Sequence, residues 1–435
     1  MVARCSHGPG VLSFLADLLS TVFERRYRSA LEPDLAGRSM PELCAILLGT
    51  SGEISGAETA RHILDLYADM NPTDRLRFFQ FLAEDLGLDP NAVRETLAVF
   101  EAEPSGETYR QFAAAAEPKR QELARRLNQV PGATAQLVQM RQDLLSLIAM
   151  HPELEPVDED LRHLLSSWFN RGFLVLLPVN WESPADVLEK IIAYEAVHAI
   201  DSWDELRRRV EPSDRRCFAY FHPAMPNEPL IFVEVALTRG IPASIQDLLL
   251  DGREELPAEE ADTAVFYSIS NCQAGLAGIS FGNFLIKQVV ADLCRDLPGL
   301  ETFVTLSPVP RLLDWVRNHD LTIGSDPDRQ RRHAAHYIMN AKRCDGSPHD
   351  AVARFHLGNG ALVHDVHARA DISPNGLAQS GGVMVNYLYD RAMIAQNHEG
   401  YAGGYAIAAS AHVQDLAAGI SGTRDQGNLN GEPSL

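Results

Sequence analysis

A glycine-bearing loop is the first segment of this 435-residue chain whose composition could serve chemistry. Gly275, Gly278 and Gly282 lie between a β-rich apolar run that ends at Asn271 and an amphipathic helix pattern. Glycine lets a main chain approach a ligand closely, and the start of a helix attracts anions. The spacing matches neither the dinucleotide-binding fingerprint nor the P-loop pattern. The loop is therefore either a cradle for another pyrophosphate-bearing ligand or an ordinary strand-to-helix connection.

Ser307 is the second candidate. It ends the apolar strand pattern Thr302–Leu306 and is followed by Pro308, so it lies where side chains project into clefts. The Gly-x-Ser-x-Gly elbow of α/β-hydrolases is missing, which argues against a hydrolase nucleophile. The alternative is a turn serine that caps the following helix.

His356 is the third candidate, and it lies between Phe355 and the Gly-Asn-Gly sequence at 358–360. The pattern predicts a position beside a tight turn after a strand, near the mouth of a cleft. Histidine is the side chain best suited to proton transfer near neutral pH. A structural histidine in a hairpin is the alternative.

Other polar residues in the second half have weaker patterns. His364 and His367 are three residues apart in a predicted strand, so they would point to opposite faces, and we predict no metal site. Glu228 and Glu234 flank the end of a proline-rich turn and the strand after it. Either carboxylate could contact a substrate or accept a structural hydrogen bond.

The composition of the chain indicates which binding partners and which cellular compartment to expect. A net charge of −21 argues against non-specific binding to nucleic acid or anionic membranes. No apolar run approaches the roughly 20 residues that span a bilayer, and no secretory signal pattern is found. The six cysteines are scattered without a C-x-x-C pair, which is typical of reduced thiols. We expect a cytoplasmic protein without nucleic-acid or membrane partners.

The elements that must position these residues change in character along the chain. Apolar residues recur at helical spacing in the first part, for example over 137–147. Strand-like runs alternate with helical patterns after a Pro- and acid-rich segment near 152–158. The patterns predict an α+β or α/β protein with a helical packing or oligomerisation domain over 1–155, a domain containing the sheet over 156–412 and a polar tail over 413–435.

Several uncommon segments taken together go beyond spacing, and they resemble the malonyl-CoA decarboxylase family. In chain order they are His222–Thr238, Phe266–Ser270, Phe281–Lys287, Leu306–Pro308, Phe355–Gly360 and Val383–Tyr387. The resemblance implies a helical N-terminal domain followed by a GNAT-like acyltransferase-fold domain with a mixed central sheet. It also implies conversion of malonyl-CoA to acetyl-CoA and CO2 without a metal or organic cofactor, and it suggests a homo-oligomer, a dimer or tetramer.

The resemblance further implies roles for individual residues. The family's catalytic serine and histidine match Ser307 and His356. Asn386 and Tyr387 are predicted to support this pair. The family's CoA-binding loop matches Ala277, Gly278, Ile279, Ser280, Phe281, Gly282 and Asn283. Animal members have a glutamate at the position of Ser280, so the role of that carboxylate does not carry over to this chain.

Decarboxylation moves negative charge from a carboxylate to the oxygen of a thioester enolate, and an enzyme must stabilise the new charge more than the old one. We expect backbone N–H groups near the end of the 264–271 strand to stabilise that oxygen. His356 would protonate the enolate carbon, while Ser307 would bond His356 or orient the substrate carboxylate. The alternatives are a GNAT-type acyl-CoA N-acyltransferase and a non-catalytic acyl-CoA sensor.

Overall fold

The structure is a computed structural model that describes residues 35, 37–49, 53–279, 285–319 and 321–419. The chain folds into two compact units. The first, here called the helical unit, takes the chain up to Val175 together with Phe221–Leu230 and Gln273–Phe281. The second, here called the sheet unit, comprises Leu176–Tyr220, Ile231–Cys272 and the chain from Gly282 onward.

The described residues of the helical unit form a series of α-helices, most of which contribute residues to one apolar core. These helices are α1 (Met40–Gly49), α2 (Glu53–Ala68), α3 (Pro72–Glu84), α4 (Pro90–Ala102), α5 (Gly106–Ala115), α6 (Lys119–Leu127), α7 (Ala133–Ile148) and α8 (Glu155–Trp168). Leu137, Met140 and Leu144 of α7 are buried in this core. The predicted helical N-terminal region is thus confirmed, while residues 1–34 of the proposed first domain lie outside the described residues.

Local sequence explains where several of these helices begin. Asn71 caps α3 by accepting a hydrogen bond from the Asp74 N–H, and Pro72 occupies the first helical position. At the start of α5, Ser105 and Thr108 form a reciprocal capping box. Such caps satisfy backbone N–H groups that have no partner inside the helix.

In the part of the chain that the structure describes, the sheet unit is built on a mixed sheet of eight strands. They are β1 (Val175–Val179), β2 (Arg215–Phe221), β3 (Ile231–Thr238), β4 (Thr263–Asn271), β5 (Thr302–Thr305), β6 (Ser307–Pro308), β7 (Leu362–His367) and β8 (Met384–Leu388). Their order is β1-β2-β3-β4-β5-β8-β6, and β7 also pairs with β8. This arrangement confirms the predicted α+β class with a mixed central sheet.

Further helices connect and flank these strands. They are α9 (Ala185–Tyr194), α10 (Trp203–Val210), α11 (Ile245–Leu249), α12 (Leu285–Asp296), α13 (Leu312–Asn318), α14 (Pro327–Asn340), α15 (Ala351–Gly358), α16 (Pro374–Ser380), α17 (Ile394–Gly404) and α18 (Ala411–Ala418). Within the described ranges, no helix is long and apolar enough to cross a membrane.

The structure also bears on the proposed domain boundaries. Residue 155 lies at the start of α8, most of which therefore falls in the proposed second domain although it belongs to the helical unit. The proposed 413–435 tail starts within α18, where Val413 is buried. Residues 420–435 lie outside the described part of the chain.

Strand β4 changes its pairing halfway along its length. Residues 263–266 pair in parallel with 302–305 of β5, and β5 ends there, whereas β4 continues to Asn271 alongside β3. The register between β3 and β4 shifts at this point, because Glu234 opposes Ser268 and Val235 opposes Phe266. The extra residue, Tyr267, marks a bulge. Among the described residues, the second half of β4 thus pairs with β3 alone.

Candidate active site

Ser307 and His356 meet in the sheet unit. Ser307 Oγ lies 3.1 Å from His356 Nε2, and both side chains are buried. Ser307 is held at the start of β6, where it pairs with Val385 of β8, and His356 projects from α15. The two residues are 49 positions apart, so the fold brings them together rather than local sequence.

The expected setting of His356, after a strand and beside a hairpin turn, is wrong. His356 lies in the last turn of α15. Asp350 starts this helix by accepting a hydrogen bond of 2.8 Å from the Ala353 N–H. Gly360, with a φ of +87°, follows its end. Because of this cap, the short apolar run forms a helix, and the Gly-Asn-Gly sequence ends that helix instead of forming a hairpin turn.

A continuous chain of hydrogen bonds passes through the pair. The Tyr389 hydroxyl lies 2.8 Å from His356 Nδ1, and Ser307 Oγ donates to Thr305 Oγ1 at 2.8 Å. Because the Ser307 proton points at Thr305, Ser307 Oγ can only accept from His356. This assigns the imidazole proton to Nε2 and makes Nδ1 the acceptor of the Tyr389 hydroxyl.

The groups in this chain are uncharged. Burial lowers the pKa of His356 to about 3, and burial raises the pKa of Tyr389 far above its ordinary value. The His356 ring stacks on Tyr387, with ring centroids 4.6 Å apart and planes inclined by 23°. The site therefore holds a neutral imidazole that is hydrogen-bonded to a neutral phenol.

The two predicted supporting residues take different positions. Tyr387 packs directly on His356, and its backbone N–H donates to Thr305 Oγ1 at 3.1 Å. Asn386 is buried and donates to the Thr305 carbonyl at 2.8 Å, while its amide oxygen bonds His367 Nε2. Asn386 thus reaches the pair through Thr305. Their catalytic roles remain predictions.

Sequence reasoning missed Thr305 and Tyr389. Each is two residues from a residue that the sequence did single out, Ser307 and Tyr387 respectively. Residues two apart in an extended chain face the same side, so alternation was the available signal. It could not show that the Tyr389 hydroxyl bonds His356.

The candidate CoA-binding loop lies in the helical unit as far as it is described. A single 3-10 turn, Ala274–Leu276, precedes Ala277, Gly278 and Ile279, and Gly278 has a φ of +77°. Only glycine adopts such a conformation readily. Ser280, Phe281, Gly282 and Asn283 lie outside the described residues.

A second buried polar cluster in the sheet unit surrounds Glu234, and it contains charged groups. Arg209 Nη1 lies 3.3 Å from Glu234 Oε2, and Arg209 Nη2 lies 2.6 Å from Glu205 Oε1. Glu195 accepts a hydrogen bond from the Ser268 hydroxyl at 2.7 Å and another from the His198 N–H at 2.8 Å. Glu234 therefore has structural partners.

Side chains that could bind a metal are dispersed across the described ranges. No three His, Cys, Asp or Glu side chains there are close enough together to hold an ion. His367 instead contacts Asn386, and Glu228 Oε2 lies 3.5 Å from Gln273 Nε2 within the helical unit.

The sequence matches two domain families. Residues 86–169 match the malonyl-CoA decarboxylase N-terminal domain, and residues 172–329 and 327–426 match the malonyl-CoA decarboxylase C-terminal domain. The mitochondrial malonyl-CoA decarboxylase of Anser anser anser is 36% identical over an alignment of 348 residues, and the match covers 68% of this chain and 69% of that protein. Its counterpart in Rattus norvegicus is 34% identical over an alignment of 357 residues, and the match covers 69% of this chain and 71% of that protein.

Solved structures of malonyl-CoA decarboxylases are also similar to this chain. The crystal structure of malonyl-CoA decarboxylase from Rhodopseudomonas palustris is similar with a TM-score of 0.82 and 48% identity, covering 86% of this chain and 98% of that chain. That from Agrobacterium vitis has a TM-score of 0.81 and 45% identity, covering 87% of this chain and 99% of that chain. These matches confirm the resemblance inferred from the motifs: the chain belongs to the malonyl-CoA decarboxylase family.

Proposed function

We propose that this protein converts malonyl-CoA to acetyl-CoA and CO2, with Ser307 and His356 as its catalytic pair. The contact between Ser307 Oγ and His356 Nε2 at 3.1 Å, inside a chain of neutral hydrogen-bonding groups, carries the proposal. The identity of the substrate, malonyl-CoA, is inferred from membership of the malonyl-CoA decarboxylase family.

The reaction requires one bond to break and one proton to be added. The bond between the terminal carboxylate and the α-carbon breaks, CO2 leaves, and its electron pair stays behind as the enolate of the acetyl thioester. The α-carbon then takes a proton to give acetyl-CoA. Groups that favour the enolate over the carboxylate accelerate this step.

The neutral surroundings of the pair suit that requirement. A fixed cation beside the carboxylate would stabilise the substrate before reaction. Among the described residues, no charged side chain hydrogen-bonds Ser307 or His356, and burial alone lowers the pKa of His356. Neutral donors can bond the enolate oxygen as charge develops there, and one such donor typically contributes about 3 kcal/mol. We propose N–H groups of the second half of β4 as these donors.

His356 becomes an acid only in the complex. A bound substrate brings negative charge near the imidazole, which raises the low pKa of His356 and favours uptake of a proton from solvent. The imidazolium then protonates the enolate carbon and returns to the neutral form. Ser307, which accepts a hydrogen bond from Nε2, fixes the direction of that proton.

Turnover of malonyl-CoA without any amine acceptor tests the proposal. We expect purified protein to form acetyl-CoA, measured by mass spectrometry, and to incorporate one deuterium into the acetyl group in D2O. An N-acyltransferase would give product only when an amine is added, and an acyl-CoA sensor would bind without conversion. Absence of acetyl-CoA would contradict the decarboxylase assignment. Ser307→Ala should lower kcat severely while CoA binding persists.

Finer assignments belong to the same proposal. We propose that the 277–283 loop binds the CoA pyrophosphate, and the backbone of Gly278 supports this. A GNAT-like fold for the sheet unit is supported by the mixed sheet with its parallel β4–β5 pair. We also propose a cytoplasmic homo-oligomer of two or four copies without nucleic-acid or membrane partners; its charge of −21 supports the last point. Light scattering tests the oligomeric state, and cell fractionation tests the cytoplasmic location.

A further inference from the structure

Arg141 of α7 is a buried charge whose partners include the candidate CoA-binding loop. Its side chain is 2% exposed. Nη1 donates to the Gly275 carbonyl at 2.7 Å and to the Ala277 carbonyl at 2.9 Å, and Nε donates to Asp158 at 2.7 Å. All four residues belong to the helical unit. A guanidinium presents its donors in a rigid fork, so these contacts fix the loop backbone relative to α7 and α8.

The contact with Arg141 also sets the direction of the loop's N–H groups. In a trans peptide, the carbonyl of one residue and the N–H of the next point in opposite directions. Because the Ala277 carbonyl faces Arg141, the Gly278 N–H faces away from it. The hydrogen bonds among described residues provide no acceptor for that N–H. Backbone N–H groups turned outward in this way are what an anion-binding loop offers to a phosphate.

A second contact fixes the same loop close to Arg141. Gly275 packs so tightly on α7 that a Cβ atom there would lie 1.9 Å from the Val138 carbonyl oxygen. Val138 and Arg141 are three residues apart, so they lie on one face of α7. The loop is thus attached to this face by a glycine that permits close approach and by an arginine that bonds two carbonyls.

We propose that Arg141, oriented by Asp158, is a positioning residue for CoA: it holds the 275–277 backbone so that the Gly278 N–H faces the pyrophosphate. The inference rests on the proposed CoA-binding function of the loop. It assigns Arg141 no contact with the substrate and no part in the chemistry at Ser307 and His356.

Kinetics with two substrates test Arg141. Malonyl-CoA carries the pyrophosphate, whereas malonyl-pantetheine keeps the reacting group and lacks the nucleotide. For Arg141→Gln we expect the KM for malonyl-CoA to rise about tenfold or more, because charge-assisted hydrogen bonds to the loop are lost. We expect kcat to stay near the wild-type value and kcat/KM for malonyl-pantetheine to be unchanged. Arg141→Lys keeps the charge beside Asp158, so its KM for malonyl-CoA should rise less while kcat/KM for malonyl-pantetheine stays unchanged. This variant replaces Arg141→Gln in the test if Arg141→Gln does not fold.

Arg120→Gln is the matched control. Arg120 is a similarly buried guanidinium of the helical unit, ion-paired with Asp160 of α8, and it donates to the Leu82 and Pro156 carbonyls rather than to the loop. Its loss should lower the melting temperature without changing the ratio of kcat/KM for the two substrates. The proposal is overturned if Arg141→Gln slows both substrates equally, or if Arg120→Gln changes the ratio as much.

Binding separates failure of this inference from failure of the proposed function. If the wild type does not turn over malonyl-CoA, the decarboxylase assignment fails, and the dissociation constant of CoA measured by calorimetry becomes the test of Arg141. Weaker CoA binding by Arg141→Gln than by Arg120→Gln then supports the positioning role. Equal binding by the two variants, or no CoA binding by the wild type, overturns it.

Discussion

Two buried polar clusters in the sheet unit differ in the charge they contain. The pair Ser307 and His356 is joined to Thr305 and Tyr389 by hydrogen bonds between neutral groups. The cluster around Glu234 contains Arg209, which is ion-paired with Glu205. Among the described residues, no charged side chain hydrogen-bonds the imidazole of the first cluster, whereas the guanidinium of Arg209 bonds two carboxyl groups in the second. Burial of polar groups is therefore insufficient to identify a catalytic site; the two clusters differ in whether a charged partner is already present.

The pKa values follow the same distinction. Burial alone lowers the pKa of His356. Burial raises the pKa of Glu234 to about 8, the charge of Glu195 acts in the same direction, and Arg209 opposes both. The pKa of His356 thus reflects burial alone until an anion binds, whereas charged neighbours already act on the pKa of Glu234.

Replacement of His356 should have the largest effect on catalysis. His356→Gln removes the proposed acid while keeping a polar side chain of similar size, and we expect kcat to fall about 10³-fold, as is typical for loss of acid–base catalysis. Acetyl-CoA formation measured by mass spectrometry checks this. CoA binding should persist. Near-normal turnover by the variant would remove His356 from the mechanism.

Removal of the buried guanidinium of Arg209 from the cluster around Glu234 should lower the stability of the protein rather than its catalytic rate. Arg209→Met leaves Glu205 and Glu234 without their guanidinium partner, and we expect the free energy of unfolding to fall by about 3 kcal/mol. Urea unfolding measures this, and kcat of the folded fraction should remain near wild type. Arg207→Met is the control, because the exposed Arg207–Glu211 pair is screened by solvent and should contribute little to stability. A large fall in kcat for folded Arg209→Met would contradict the proposed separation of roles.

The low pKa of His356 should make stability depend on pH. The pKa is about 3 in the folded protein and ordinarily 6.5, so between these values the unfolded chain binds more protons. Stability therefore rises with pH across this window and is lost as pH falls below 6.5. Near the middle of this pH window, His356→Gln should lower the slope of the unfolding free energy against pH by about 1.4 kcal/mol per pH unit. Equal slopes for the two proteins would show that His356 is not held neutral by burial.

The hydroxyl of Tyr389 should have the smallest of these effects. Tyr389→Phe keeps the ring and removes the hydrogen bond to His356 Nδ1, and we expect kcat to fall about tenfold because the imidazole is less well oriented. Tyr337→Phe is the matched control, since the buried Tyr337 hydroxyl lies 3.0 Å from His349 Nδ1 in the same unit. Equal losses in kcat would indicate a packing effect instead of a role for the Tyr389 hydroxyl.

Much of the architecture could be predicted from local pattern. Apolar runs predicted the strands that became β4 and β5, and helical spacing predicted the helical unit, because each signal depends on neighbouring residues. The motifs also selected Ser307 and His356. They did not show that His356 lies in a helix, because that run is short and its helix depends on the Asp350 cap.

Other features exist only through pairing between distant segments. β8 lies between β5 and β6 and brings Tyr387 and Tyr389 beside His356. Arg141 bonds a loop that follows it by more than 130 residues. No local pattern could reveal either contact, because a hydrogen bond between distant residues depends on the packing of whole elements.

The sequence by itself determined the family, the α+β class and the two residue types proposed for the chemistry, since motifs and periodicity are local properties. The tertiary structure decided the state of those residues. Burial among aromatic rings, rather than residue identity, makes His356 neutral, and contact with a distant arginine orients the loop carbonyls. Both depend on solvent exclusion and on the directions of hydrogen bonds, which arise only when the elements pack together.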